Sequence, residues 1–266
     1  MSRMPDAVTF AGGPAVTIAP GVAMPLLGLG VWQSRPGREC ERAVAWALEA
    51  GYRHVDTAEG YRNEESVGRA LRSAAIARED LFVTTKWSPR RGDPRAAIEA
   101  SLERLGLDRV DLYLVHWPAP GSERAWPAME RLLADGLARA IGVSNWRADA
   151  LARLVADAAV PPAVNQIDWS PERYDPAVLA AHRDLGVVLE GYSPLGRGRL
   201  VHDPVVGGVA AEVGRTPAQV LIRWSLERGT PAIPKSVTRE RILGNLDVLG
   251  WSLDAGHLAR LDALAG

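Results

Sequence analysis

The sequence predicts an α/β fold, a closed (β/α)8 barrel of parallel strands that alternate with helices. Short apolar runs alternate with helical patterns from residue 27 to residue 249, and such alternation is typical of a parallel sheet. The pattern repeats as eight strand–helix units within 266 residues, which is the usual size of one closed barrel. Composition does not change along the chain, so we expect residues 1–266 to form a single domain.

The first predicted element is a β-hairpin, in which Val8–Phe10 and Ala15–Ile18 flank the turn residues Gly12-Gly13-Pro14. We expect this hairpin to cap the barrel. The predicted barrel strands are Leu27–Val31, His54–Asp56, Leu81–Thr85, Val110–Val115, Ala138–Val143, Ala163–Asn165, Gly186–Glu190 and Pro231–Ile233. The predicted helices are Arg38–Ala50, Glu64–Ala75, Asp93–Leu105, Trp126–Ala134, Arg147–Asp157, Pro176–Arg183, Pro204–Val213, Pro217–Glu227 and Arg239–Leu249. A last helix, Ala255–Leu264, carries leucines at a spacing of three and is expected on the outside of the barrel.

Composition and charge exclude several classes of protein. The chain is 47% hydrophobic and 24% charged, values that are typical of globular and not of disordered proteins. Lys plus Arg number 31 against 32 Asp plus Glu, so no nucleic-acid or membrane partner is indicated. The single cysteine, Cys40, excludes an intramolecular disulfide and a Cys-rich metal site, and the five histidines have no metal-ligand spacing.

The expected location is the cytoplasm. No apolar run reaches the roughly 18 residues that a membrane-spanning helix needs. The first residues, MSRMPDAVTF, lack the apolar segment of a signal peptide.

The two lysines, Lys86 and Lys235, are conspicuous because all other basic residues besides histidine are arginine. A codon bias explains the excess of arginine but not the two positions that keep lysine. Lysine differs from arginine in carrying a compact ammonium that can tune its own pKa or that of a neighbour. We therefore expect both lysines to be functional.

Polar residues end every apolar run, and in barrels of this kind chemistry takes place at the C-terminal ends of the strands. The residues in those places are Trp32, Asp56, Lys86, His116, Ser144-Asn145, Gln166, Tyr192 and Lys235-Ser236. Each alone has a structural interpretation, since a Ser-Asn pair caps helices, aspartate starts turns and a strand-end histidine is often structural. Asp, Lys and His at one rim with Tyr61 nearby indicate a proton-transfer site.

Competing motifs are absent from the sequence. There is no G-x-G-x-x-G, so the dinucleotide site of a doubly wound sheet is not indicated. A Tyr-x-x-x-Lys motif is also missing. Ser144 and Ser193 follow a glycine at a spacing of two, but Trp146 and Leu195 stand where a nucleophile elbow needs its second glycine.

Three segments resemble signature motifs of the aldo-keto reductases. They are GYRHVDTAEGYRNEESVG at 51–68, DLYLVHWP at 111–118 and IPKSVTRER at 233–241. The resemblance covers nearly the whole chain and looks closest to the bacterial 2,5-diketo-D-gluconate reductase-like group. It implies a TIM barrel with an N-terminal hairpin and a monomeric enzyme that reduces aldehydes and ketones, α-keto and dicarbonyl compounds among them, with NADPH.

The resemblance also implies site residues. Tyr61 would protonate the carbonyl oxygen, Lys86 and Asp56 would form an ion pair beside it, and His116 would orient the carbonyl. Ser144, Asn145 and Gln166 would hold the nicotinamide carboxamide, Tyr192 would stack on the ring, and Ser193, Leu195 and Gly196 would lie along the pyrophosphate. The remaining positions implied for NADPH are Gly30, Val31, Trp32, Pro194, Lys235, Ser236, Val237, Thr238, Arg241 and Asn245. No metal is implied.

The chemistry of carbonyl reduction fits these roles. A hydride that reaches a carbonyl carbon leaves charge on the oxygen, so a proton donor must lie within hydrogen-bond reach. A free tyrosine titrates at about 10, and a nearby cation favours the tyrosinate, so we expect Lys86 to lower the pKa of Tyr61. Lys235, Ser236, Thr238 and Arg241 surround a helix N-terminus that attracts phosphate, and Thr238 is expected to cap that helix. So many donors favour the extra 2′-phosphate of NADPH.

Tryptophans are expected to form an apolar cup around the carbonyl, from Trp32, Trp87 and Trp117 beside His116. Trp46 and Trp224, inside helical patterns, are instead expected in the core. The sequence departs from the family at Trp87, where leucine is common, at Arg197, which could contact the pyrophosphate, and at Gly244, where an acidic residue often contacts adenine. The chain also ends at Gly266, where many relatives have a longer tail over the substrate, so we expect an open pocket and broad specificity.

Two alternatives stay open beside a reductase. One is a non-catalytic barrel that binds NADPH and serves as a regulatory subunit, although all four catalytic positions are filled. The other is a Schiff-base aldolase or phosphate-binding isomerase with Lys86 as the nucleophile. The spacing of Asp56 and Tyr61 argues against the second alternative.

Overall fold

Eight parallel strands form the centre of the protein. In the computed structural model, which describes residues 8–120 and 122–265, the strands of the central sheet are hydrogen-bonded in chain order. Parallel bridges between Leu27 and Ala232 and between Gly30 and Lys235 join the first strand to the last. The predicted (β/α)8 TIM barrel is therefore confirmed. No helix within the described ranges is long and apolar enough to cross a membrane.

The bounds of the elements follow the sequence pattern closely. The strands are β1 (Val8–Phe10), β2 (Gly13–Ala19), β3 (Val22–Pro25), β4 (Leu29–Gly30), β5 (His54–Asp56), β6 (Phe82–Trp87), β7 (Val110–Val115), β8 (Ala138–Ser144), β9 (Val164–Asp168), β10 (Val188–Tyr192) and β11 (Ala232–Ile233). The α-helices are α1 (Arg38–Ala50), α2 (Glu64–Ser73), α3 (Pro94–Leu105), α4 (Trp126–Ala134), α5 (Ala148–Asp157), α6 (Pro176–Asp184), α7 (Pro204–Val213), α8 (Pro217–Glu227), α9 (Arg239–Leu246) and α10 (Ala255–Asp262).

Strands β1 to β3 form an antiparallel cap at one end of the barrel. The predicted hairpin is present as β1 and β2, and β3 extends it by a strand that we did not predict. Ile18 and Met24 from the cap pack in one cluster with Phe82 and Leu112 from the barrel strands. This apolar cluster closes the N-terminal end of the barrel, so polar chemistry is confined to the other end. Residues 1–7, on which the signal-peptide prediction partly rests, lie outside the described residues.

Local sequence explains where several helices begin. Helices α3, α6 and α7 each start with proline after an aspartate, and the aspartates Asp93, Asp175 and Asp203 accept hydrogen bonds from the backbone of the first turn. Aspartate satisfies free N–H groups there, and proline loses no helical hydrogen bond at that position. Helix α9 ends at Leu246, not at Leu249 as predicted.

Side chains alternate along the barrel strands between the interior and the surrounding helices. In β6, Lys86 bonds to Asp56 inside the barrel, whereas its neighbour Thr85 bonds to Glu64 of α2. Strands β9 and β10 extend further than predicted and include Gln166 and Tyr192. Of the tryptophans assigned to the core, Trp224 is fully buried and Trp46 is partly buried against the core.

Candidate active site

The four predicted catalytic residues meet at the C-terminal end of the barrel. The ammonium Nζ of Lys86 donates to Asp56 Oδ1 at 2.5 Å and to the Thr57 carbonyl at 2.9 Å. The same Nζ lies 3.4 Å from the hydroxyl of Tyr61. The rings of Tyr61 and His116 meet edge to face, with centroids 5.5 Å apart. The phenol therefore has an ammonium on one side and an imidazole on the other.

The loop after β5 holds Tyr61 in place. Tyr61 ends a single 3-10 turn, Glu59–Tyr61. Glu59 accepts a hydrogen bond of 2.7 Å from the backbone N–H of Ser88, just after β6. The amide of Asn63 donates to the carbonyls of Val31 and Ser34. The loop is thus tied to both neighbouring strand ends, which limits the movement of the phenol.

Burial controls the protonation of the site. Burial alone would favour a neutral Lys86, but Asp56 and Tyr61 more than offset it and raise the pKa of this ammonium. Burial raises the pKa of Tyr61, and the Lys86 ammonium offsets only part of that shift. Our expectation of a lowered pKa for Tyr61 was therefore wrong. Burial and the Lys86 charge lower the pKa of His116 to about 3, so at neutral pH this imidazole is uncharged and the phenol keeps its proton.

A second group of polar residues lies at the ends of β8 to β10, beside the tetrad formed by Asp56, Tyr61, Lys86 and His116. The amide Nδ2 of Asn145 donates to Ser144 Oγ at 2.9 Å, and the Tyr192 hydroxyl donates to Asn145 Oδ1 at 2.7 Å. Ser144 Oγ in turn donates to the carbonyl of Gln166 at 2.8 Å. Asn145 has a positive φ of 65°, a conformation that asparagine tolerates better than most residues. The predicted carboxamide-binding residues therefore form one connected platform.

The predicted phosphate-binding residues lie at the start of α9. Lys235 and Arg241 are exposed, and Arg241 forms no ion pair with any residue that the structure describes. Ser236 Oγ accepts from the backbone N–H of Thr238 at 3.1 Å. Thr238 occupies the N-cap position, but its side chain makes no capping hydrogen bond. The predicted cap was therefore wrong: no side chain caps the helix from Thr238, and Ser236 bonds to the backbone of Thr238 itself.

The remaining implied cofactor positions lie at the end of β4, after β10 and at α9. Gly30 must be glycine, because a Cβ atom would lie 2.8 Å from the carbonyl oxygen of Ile233. Val31 is fully buried and hydrogen-bonds to the backbone of Asp56. Ser193 and Gly196 both have positive φ and form a tight turn after β10, together with Pro194 and Leu195. Val237 and Asn245 accompany α9, where Asn245 is buried and Val237 is partly buried.

The comparisons with known proteins agree with this geometry. The profile of the Aldo/keto reductase family matches residues 26–265. This chain belongs to the aldo/keto reductase family. It is 44% identical to an aldo-keto reductase of Mycolicibacterium smegmatis over 257 residues, which cover 94% of this chain and 93% of the relative.

Solved structures of this family have the same fold. An aldo/keto reductase from Brucella melitensis superposes with a TM-score of 0.90 at 38% identity, covering 94% of this chain and 97% of that one. A Bombyx mori aldo-keto reductase, solved in complex with NADP, superposes with a TM-score of 0.88 at 33% identity, covering 95% of this chain and 93% of that one.

Family membership makes the chain an oxidoreductase, and no observation favours a non-catalytic barrel. The Schiff-base alternative fits poorly, since an ammonium held charged by Asp56 has no lone pair to attack a carbonyl. Within the described residues no cluster of His, Cys, Asp and Glu could hold a metal ion.

Two of the three predicted pocket tryptophans lie at the rim of this reductase. Trp32 is 41% and Trp117 is 52% exposed. Trp117 stacks on His116, and the Arg197 guanidinium lies over the Trp32 ring at 5.5 Å. Trp87 is a correction: it is buried in the core cluster, because alternation along β6 turns it away from the interior that Lys86 faces. It does not form a wall of the substrate pocket.

Two interior residues of the aldo/keto reductase barrel, Glu190 and His54, were not predicted as site residues from the sequence. Both side chains are fully buried, and Glu190 lies 2.8 Å from the amide nitrogen of Gln166. The signal was available: Glu190 is a charged residue inside the apolar run of β10, and His54 opens the buried strand β5. We had assigned each only to a strand.

Proposed function

We propose that this protein reduces aldehydes and ketones, including α-keto and dicarbonyl compounds, to alcohols with NADPH, and that Tyr61 is the proton donor. One observation carries the proposal. The Tyr61 hydroxyl lies 3.4 Å from a Lys86 ammonium that is itself paired with Asp56 at 2.5 Å. This arrangement pairs a protonated phenol with a cation that stabilises the phenolate once the proton has left.

NADPH fits the residues present. Ser144, Asn145 and Gln166 would hold the carboxamide, and Tyr192 would contact the nicotinamide ring. Exposed Lys235 and Arg241, which has no ion-pair partner among the described residues, lie beside Ser236 and offer charge-assisted hydrogen bonds to a 2′-phosphate. The Bombyx mori relative in complex with NADP supports this choice. When bound, NADPH supplies the hydride.

The chain's own residues direct the proton. His116, uncharged at neutral pH, would donate a hydrogen bond to the carbonyl oxygen and so orient it. As negative charge develops on that oxygen, the phenol of Tyr61 would give up its proton. Lys86 would stabilise the phenolate, and Asp56 keeps Lys86 charged and in place. Trp87, which is buried in the core, has no part in these steps.

The residues at the rim of the site indicate which substrates it would accept. Trp32 and Trp117 offer apolar contact around the mouth of the site, whereas hydrogen-bonding groups are concentrated at its base. This favours small carbonyl compounds, and the motifs favour the 2,5-diketo-D-gluconate reductase-like group. The monomeric state and cytoplasmic location stay predictions.

The test is a reductase assay with purified protein, NADPH and a panel of aldehydes, α-keto compounds and dicarbonyls. We expect loss of the NADPH absorbance with several members of the panel, and formation of the matching alcohol. NADPH binding without turnover of any carbonyl would instead support the non-catalytic barrel.

A further inference from the structure

A buried carboxyl group lies below the tetrad, deeper in the barrel. Glu190 is on β10, directly opposite Gln166 of β9, and its side chain is fully buried. Its Oε2 accepts a hydrogen bond of 2.8 Å from Gln166 Nε2. The same Nε2 donates to Asp56 Oδ2, also at 2.8 Å. Gln166 thus links Glu190 to the carboxylate that holds Lys86.

The charges around Glu190 are unbalanced. The titratable groups that face it are His54 and Asp56 from β5 and Lys86 from β6, while β9 faces it with the uncharged amide of Gln166. Lys86 is the one cation among them, because burial and Lys86 itself lower the pKa of His54 to about 3. Two ionised carboxylates beside one ammonium would leave a net negative charge without water, which is strongly unfavourable.

Geometry decides which carboxyl group carries the proton. Asp56 contacts the ammonium of Lys86 directly at 2.5 Å, so it gains most from being ionised. The second oxygen of Glu190, Oε1, has no hydrogen-bond partner among the described residues, and neither has Nδ1 of His54, 3.8 Å away. Burying an ionised carboxylate with an unpartnered oxygen is costly, whereas burying a neutral carboxylic acid in the same position costs much less.

We propose that Glu190 is a positioning residue of the reductase, present at neutral pH as an uncharged carboxylic acid that anchors Gln166 and, through it, the Asp56–Lys86 pair beside Tyr61. The inference rests on the proposed function for its effect on turnover. With Glu190 uncharged, Lys86 has one anionic partner and remains available to stabilise the Tyr61 phenolate. Loss of the proton from Glu190 would add a negative charge that opposes formation of that phenolate.

Titration of Glu190 should therefore appear in catalysis. Burial and the neighbouring Asp56 raise the pKa of Glu190 to about 8. We expect kcat to fall as the pH rises through that value. The fall reflects electrostatic opposition to proton release by Tyr61, so the KM for the carbonyl should change little.

Three variants test the proposal. Glu190→Gln keeps an oxygen that accepts from Gln166, so kcat at pH 7 should stay within about threefold of wild type and the decline near pH 8 should disappear. Glu190→Leu has no acceptor, and kcat should fall about tenfold, which corresponds to about 1.4 kcal/mol, with KM unchanged. Asp168→Asn is the matched control: Asp168 also lies in a barrel strand but has no bond to Gln166 or Asp56, so the decline near pH 8 should remain.

An infrared difference spectrum separates this proposal from the proposed function. Wild type minus Glu190→Gln, recorded at pH 7 without substrate, should show the C=O band of a protonated carboxylic acid. Its absence would overturn the neutral Glu190, even if no carbonyl substrate were found. A decline near pH 8 that persists in Glu190→Gln, or wild-type kcat in Glu190→Leu, would overturn the positioning role. Circular dichroism confirms that each variant is folded before its kinetics are measured.

Discussion

Lys86 and Asp56 form an ion pair of 2.5 Å that is sealed inside the barrel. A buried ion pair contributes little net stability, because both charges lose their hydration, but removal of one partner leaves the other charge unpaired. Stability alone therefore does not account for the pair. Its carboxylate fixes a cation 3.4 Å from the hydroxyl of Tyr61, which is the arrangement that the proposed proton transfer needs.

Asp56→Asn should destabilise the protein. The change leaves the ammonium of Lys86 without its counter-charge, and such a loss costs about 3–5 kcal/mol. Chemical denaturation would measure it. The double variant Asp56→Asn, Lys86→Met removes both charges and should recover most of the lost stability while remaining inactive. An Asp56→Asn protein as stable as wild type would contradict the buried ion pair.

Tyr61→Phe should lower kcat by at least about 10²-fold, the usual range for loss of a general acid. The affinity for NADPH, measured by fluorescence titration, should hardly change, because the hydroxyl faces Lys86. Tyr174→Phe is the matched control, since that ring packs against Trp169 and Trp224 away from the site. Near-normal turnover in Tyr61→Phe would exclude Tyr61 as the proton donor.

Arg241→Ala should weaken NADPH more than NADH. A charge-assisted hydrogen bond contributes about 1.5–3 kcal/mol, so the preference for NADPH, the Kd for NADH divided by the Kd for NADPH, should fall by about tenfold or more. Arg239→Ala, which removes the same charge from the first turn of the same helix, should change that ratio less. Equal losses for both cofactors in Arg241→Ala would show that Arg241 does not contact the 2′-phosphate.

The pH dependence of stability should also show the buried carboxyl group of Glu190. Its pKa rises from 4.5 to about 8 on burial, so the folded state binds the extra proton between those values. Its favourable contribution is complete below pH 4.5 and is lost as the pH rises to about 8. Glu190→Gln has no such proton, so its stability relative to wild type should increase over that range. The same difference in unfolding free energy between Glu190→Gln and wild type at pH 5 and at pH 8 would contradict this.

The sequence was sufficient for the fold and for the tetrad because both depend on local patterns. Alternating apolar runs and Asp-Pro helix starts predict strands and helices, and polar residues at strand ends predict a rim. The predicted place of Trp87 in the pocket was wrong, because its neighbour Lys86 faces the interior and in a strand the next side chain faces the opposite way. A one-residue difference in position along a strand decides between pocket and core.

The contacts of Glu190 and the pKa of Tyr61 could not be predicted from sequence, for another reason. Both depend on burial and on neighbours brought together by the closed barrel. Glu190 meets Gln166 across two adjacent strands, and Gln166 meets Asp56 from a strand on another part of the barrel. The effect of Lys86 on Tyr61 was predicted with the correct sign, but the greater effect of burial was not.

Substrate specificity should be broad. Trp32 and Trp117 are exposed at the rim, and apolar contact alone discriminates weakly among small carbonyl compounds. Apolar contact at the rim supplies little binding energy from remote parts of a small substrate to lower KM or raise kcat. We expect KM values toward the upper end of the usual range, about 1 mM, for aldehydes, α-keto compounds and dicarbonyls alike.

Trp117→Ala should raise KM for aromatic aldehydes more than for small aliphatic ones, whereas Trp46→Ala, on the outer helix α1, should not change the ratio of these two KM values. One substrate with a kcat/KM about 10³-fold above all others, equivalent to about 4 kcal/mol, would contradict an open apolar rim.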